Sequence, residues 1–162
     1  MKTRFAFKSF YAVFAFLFVF QPIGNSFATD FSSKKIATTR SEKAQFFFNR
    51  GGKRYLKGNL NGAISDYKRV IKINLLDAVS YNNICHIKIE LKQYNDAFYN
   101  CNKAISINNR IAMFYNTRGD LNFAIGDEKA ACVDYKNSIK LNDSFRKEWI
   151  DSPSGEWCRN MP

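Results

Sequence analysis

Four cysteines, one histidine and a recurrent set of asparagines are the side chains whose types and spacing could do chemistry in this sequence. Cys85, Cys101, Cys132 and Cys158 are well separated, with no Cys-x-x-Cys pair and no clustered histidines, so a tetrahedral zinc set is not assembled. An even cysteine count in an exported chain points to disulfides, whereas in a reducing compartment the same four would serve as small buried hydrophobes. Four cysteines permit three pairings, and sequence selects none of them. His86 is the single histidine, and one histidine on a helix face is more often a surface or packing residue than a base. Gly51-Gly52-Lys53 follows a helix start rather than a strand and lacks the spacing of a phosphate loop. Neither catalysis nor a cofactor or metal is expected.

Charge is the second chemical resource, and it is unevenly placed. The formal charge is +11, and the three cations Lys2, Arg4 and Lys8 lie in a leader without acids, so the remainder carries +8. Eleven lysines and arginines between Lys34 and Lys72 face only Glu42 and Asp66, while from Ile73 onward eleven basic and eleven acidic residues cancel. The cluster Arg50, Lys53, Arg54 and Lys57, with Lys68, Arg69 and Lys72, is therefore a candidate basic patch for an anionic membrane, an envelope polymer or an acidic partner. Nucleic acid is a poor fit for an exported chain. The competing expectation is a solvated face.

The elements that must position these residues begin after the leader. Residues 1–28 read as a signal peptide: a cationic start, an apolar run from Phe10 to Phe20, a helix-breaking Pro22, and small residues around a cut after Ala28. At about eleven residues, that run falls short of the ~20 a spanning helix needs. The protein is accordingly expected to be exported, to a periplasm or the exterior. Residues 29–43 show no period and are expected to be a flexible linker, with Ser41 capping the first helix and Glu42 in its first turn.

From Ala44 the sequence repeats every 34 residues without a gap, in units 44–77, 78–111 and 112–145. Ala63, Ala97 and Ala131 superpose, as do Ile73, Ile107 and Leu141, and Asn74, Asn108 and Asn142. Each unit divides into two stretches with apolar residues at helical three-and-four spacing, broken at Gly58-Asn59 in the first and Gly126-Asp127 in the third. No stretch alternates as a strand does, so stacked helix pairs are expected rather than one closed core. Residues 146–162 start a further amphipathic turn, with Trp149 in the aromatic register, and then break at Ser152-Pro153-Ser154-Gly155; they are expected to be a capping helix and tail.

These units resemble the tetratricopeptide repeat family. Phe47, Tyr81 and Tyr115 match its first aromatic site, Gly51, Cys85 and Gly119 its small residue at the helix crossing, and Ala63, Ala97 and Ala131 its signature alanine. The family's unit-ending proline is replaced by Leu75, Asn109 and Asp143, and its mid-helix tyrosine by Arg54, Lys88 and Asn122. The resemblance implies an all-α, right-handed α-α solenoid of three helix-turn-helix repeats with a C-terminal cap. It also implies a protein interaction scaffold or assembly adaptor that binds a partner peptide or protein on its concave face. The implied face comprises Gln45, Phe48, Asn49 and Gly52, then Val79, Asn82, Asn83 and His86, then Met113, Asn116, Thr117 and Asp120. Its carboxamides can donate to and accept from an extended backbone. Family members that clamp a C-terminal carboxylate use lysine and arginine where this chain has Phe48, Met113 and Thr117, so an acidic-tail clamp is not expected. On the same scaffold Cys85 and Cys101 fall on facing helices of the second repeat. A bond there would leave Cys132 and Cys158 to tie the tail to the third.

Overall fold

The computed structural model describes residues 26–161; the expected signal peptide lies outside the described residues apart from Ser26 to Ala28. The chain falls into two compact units, Met1–Lys35 and Ile36–Pro162. Only 26–35 of the first is described, and it is helical.

All regular structure among the described residues is helical: α1 (Ser26–Leu56), α2 (Leu60–Ile73), α3 (Ala78–Glu90), α4 (Tyr94–Ile107), α5 (Ala112–Ala124), α6 (Glu128–Lys140), α7 (Ser144–Asp151), a 3₁₀ turn (Pro153–Gly155) and α8 (Glu156–Arg159). The C-terminal half of α1 pairs with α2, α3 with α4, and α5 with α6. No described helix is long and apolar enough to cross a membrane. Residues 29–43, expected to be a flexible linker, belong to α1, and Ser41 lies inside that helix rather than at its start. The stretch holds no Gly or Pro to stop a helix. It is exposed nearly all round from Ile36 to Lys43, so it lacks the buried stripe that a periodicity reading detects.

The core runs through the stack as a row of clusters, each crossing a seam. Ala63, Ile64 and Tyr67 of α2 meet Ile84 and Ile87 of α3. Ala78, Tyr81 and Ala104 enclose Phe114 of α5, and Cys85, Ala97 and Cys101 enclose Leu121. Ala131, Cys132 and Tyr135 of α6 close against Ile150 and Cys158 of the C-terminal segment. The signature alanines are fully buried, which lets paired helices approach closely.

Tight turns join the helices of each pair, and each uses one left-handed residue: Gly58 (φ 72°), Lys92 (φ 57°) and Gly126 (φ 84°). Glycine adopts this conformation without a Cβ penalty; lysine does not. Asn59 and Asp127 then cap α2 and α6 by accepting from the amides of Gly62 and Ala130, both at 2.9 Å. The connections between units differ. Asn74 and Asn108 are extended, and their side chains accept from the amides of Leu76 (3.1 Å) and Arg110 (3.0 Å). Asn142, their counterpart by period, instead turns left-handed at φ 69°, so α6 ends one residue sooner and α7 begins at Ser144, two residues ahead of the repeat register. The cap is thus attached by the tight turn used inside units.

Candidate functional site

Two devices hold the helix pairs in shape beneath the expected binding face. In the first and third units a buried carboxylate accepts a two-pronged guanidinium from the facing helix. Arg50 Nε and NH2 donate to Asp66 at 2.8 and 2.6 Å, and Arg118 Nε and NH2 donate to Asp134 at 2.9 and 2.7 Å. Arg54 adds a second cation to Asp66 (2.9 Å), and Asn122 donates to Asp134 (3.0 Å). The hydrogen bond from Arg50 holds the Asp66 carboxyl below its ordinary range. Beside each pair a glycine faces a tyrosine ring: a Cβ on Gly51 would stand 3.1 Å from Tyr67, and one on Gly119 would collide with Tyr135. In the second unit both devices are absent, and Cys85 and Cys101 are bonded, with Cα atoms 5.3 Å apart. Cys132 is bonded to Cys158, with Cα atoms 5.2 Å apart, fastening the tail to α6.

The expected binding face divides into two parts. On its N-terminal part Gln45, Asn49 and His86 are exposed and Phe48 and Asn83 are half-buried. Gln45 donates to Asn49 (2.8 Å), and the Phe48 ring meets Tyr67 edge-on at 5.6 Å. The Tyr55 hydroxyl donates to Glu90 and lies 3.1 Å from His86 Nε2, which is itself 3.3 Å from Glu90. That bond to Glu90, reinforced by burial, pushes the Tyr55 hydroxyl up to about 12. A cleft of about 50 Å³ opens between Tyr55, Tyr67, Asn83, His86 and Ile87. Asn82 is turned inward: it is 3% exposed, and its Oδ1 is buried with no hydrogen-bond partner.

The C-terminal part is already filled. Arg146 of α7 donates from Nε to Asn116 Oδ1 (2.7 Å) and from NH2 to Asp120 Oδ1 (3.1 Å). Its guanidinium lies 3.9 Å from the centre of the Tyr135 ring and 5.1 Å from that of Trp149. Asn116 also donates to Asp143, and Asp120 accepts from Tyr135 (2.9 Å). Thr117 is 6% exposed and bonded to the Met113 carbonyl (3.0 Å). Asn116 and Asp120 are therefore held by the cap, while Met113 remains exposed.

The expected basic patch is likewise split. Arg50 and Arg54 are bound to Asp66, whereas Lys53 and Lys57 are exposed, with no ion pair among the described residues. The arginine–aspartate pairs escaped the sequence reading, although the signal was present: Arg50 with Asp66 and Arg118 with Asp134 keep one spacing, two units apart.

No family model matches the chain. A tetratricopeptide-repeat-containing protein of Methanocaldococcus jannaschii is 33% identical over 81 residues, 50% of this chain and 14% of that protein. RNA polymerase II-associated protein 3 of Xenopus tropicalis is 30% identical over 105 residues, 65% of this chain and 16% of that protein. The chain thus spans about a sixth or less of the length of these two relatives. Among solved structures, the first tetratricopeptide repeat domain of Spaghetti (RPAP3), bound to an HSP90 peptide, superposes with a TM-score of 0.65 at 23% identity, covering 74% of this chain and 92% of that one. MamA superposes with a TM-score of 0.59 at 24% identity, over 68% of this chain and 61% of that one. Helix pairs in register, buried signature alanines and these superpositions give the described unit the fold of the tetratricopeptide-repeat domains.

Proposed function

We propose that this chain is an exported tetratricopeptide-repeat adaptor that binds an extended segment of a partner protein, acting by binding rather than catalysis. The carrying observation is the split binding face. On the N-terminal part Asn49 and His86 are exposed, Phe48 and Asn83 half-buried, and a small cleft opens between Tyr55, Tyr67, Asn83, His86 and Ile87, while Asn116 and Asp120 of the third unit are bound by Arg146. Repeat domains of this fold bound to HSP90 and Hsp70 peptides support a peptide-sized ligand. The partner differs in kind from an acidic tail, since Phe48 and Met113 stand where a clamp for such tails places cations and the one arginine at hand is spent on Asn116 and Asp120. Carboxamide and imidazole groups beside Phe48 suit a neutral backbone with an apolar side chain. Export is supported by the leader sequence and by two disulfides that need an oxidising compartment.

A photo-crosslinking amino acid at Phe48 or His86, compared with one at Val133 on the exposed outer side of α6, tests this reading in envelope extract. The same partner should be trapped from Phe48 and His86 and not from Val133. Equal trapping from all three, or trapping from Val133 alone, contradicts a groove ligand.

A further inference from the structure

In a helical stack, each first helix presents one stripe to the preceding unit, and the two seams here show what that stripe requires. Moving Phe46 by one and two periods lands on Ser80 and Phe114, both fully buried. Moving Lys53 in the same way lands on Ile87 and Leu121, 1% and 0% exposed. The neighbour that covers Phe114 and Leu121 includes α4, which offers Ala97, Cys101 and Ala104, small residues at intervals of four and three along one face. The corresponding stripe of α1 is uncovered among the described residues, and Phe46 is 57% exposed.

We infer that this end face is a docking site for an acidic amphipathic helix of a partner protein, seated where a preceding unit's second helix would lie. The aromatic is retained at the seam position, as in the third unit, while Lys53 carries a cation at the seam position that Ile87 and Leu121 fill in the other units. The Arg50 guanidinium lies 5.1 Å from the Phe46 ring centre, and Lys53 and Lys57 flank it with no carboxylate partner among the described residues. Asp66 is spent on Arg50 and Arg54, and the one acid on this part of α1 is Glu42, a turn before Phe46. A small-residue stripe would seat Phe46, and glutamates beside it would meet Lys53 and Lys57. A second copy is the poorer occupant. Face-to-face pairing opposes like charges, and residues 144–159 of the opposite end carry three cations and three carboxylates, which offer no net complement.

The probe is a synthetic peptide of about four helical turns, with alanines at intervals of four and three and glutamates flanking them, titrated by fluorescence anisotropy against the whole protein. The expected result is saturable binding that weakens about tenfold or more, some 1.4 kcal/mol, for Phe46→Ala and for the Lys53→Glu, Lys57→Glu double variant. Both changes are on the surface, and circular dichroism checks the fold. A proline-broken probe of the same charge should also lose binding. Equal binding of the broken probe would overturn the inference in favour of a polyanion site. So would lysine-dependent binding to phosphatidylglycerol vesicles without peptide binding, dimerisation in sedimentation, or no binding at all.

Discussion

The outer units and the central unit solve one packing problem with different chemistry. In the first and third, a glycine admits a tyrosine ring and an arginine reaches over to a buried aspartate; in the second, the glycine and tyrosine positions are Cys85 and Cys101, the arginine position is Ile84, and the aspartate position is the half-buried Asn100. In all three the alanine early in the second helix is fully buried. The crossing therefore needs a short-range clamp of modest volume, and a covalent one dispenses with burying charge, a cost that ion pairs often fail to recover in full. The central unit, packed between two others, is also where an ion pair would have least access to water.

Losing the covalent clamp has the largest expected effect. Replacing Cys85 and Cys101 by Ala opens a loop whose ends are 16 residues apart and should cost about 3 kcal/mol in the chain-entropy picture; the Cys132–Cys158 loop, at 26, should cost slightly more. Thermal denaturation of each double variant measures this. The latter should also free Arg146, so Asn116 and Asp120 become accessible.

Next comes the ionic clamp. Asp134→Ala leaves Arg118 facing a buried void and should cost about 2–3 kcal/mol, less than for a fully buried pair because Arg118 is 26% exposed. Asn100→Ala, at the equivalent central position, should cost under about 0.5 kcal/mol. Equal losses at the two sites would erase the distinction between the units. Gly119→Ala should cost about 1–3 kcal/mol by overpacking against Tyr135, and Gly51→Ala less, because its contact with Tyr67 at 3.1 Å needs only a small shift.

Acid sharpens the comparison further. The Asp66 carboxyl is held below its unfolded value of about 3.9, so its contribution is complete above that value and is lost as pH falls through the lower folded-state value. Denaturant midpoints followed downward from about pH 5 should therefore fall more steeply for the parent than for Asp66→Asn. One change should be a gain: Lys92→Gly, at φ 57°, should stabilise by about 1 kcal/mol, because the left-handed turn that Gly58 and Gly126 make freely is strained for lysine.

These contrasts also mark what could be read from the residues. The period, the helix pairs and the turns at Gly58 and Gly126 were legible because burial and glycine leave a pattern at fixed spacing. The helical course of residues 29–43 was not, because a helix exposed on all sides has no apolar stripe. Lys92 was hidden for the opposite reason: the turn exists without its usual residue. Asn142 looked like Asn74 and Asn108 but turns left-handed, since the cap that follows it is not a fourth unit. The expected groove positions follow from the repeat register, yet nothing in the repeats showed that Arg146 would reach back to Asn116 and Asp120. That contact comes from outside the period.

The most direct test of a stapled, exported adaptor is disulfide mapping of the protein isolated from its native source, with thiols blocked at lysis and peptides sequenced without reduction. The account predicts no alkylated cysteine and two linked peptides, Cys85 with Cys101 and Cys132 with Cys158. Four blocked thiols, or a crossed pairing, would contradict it.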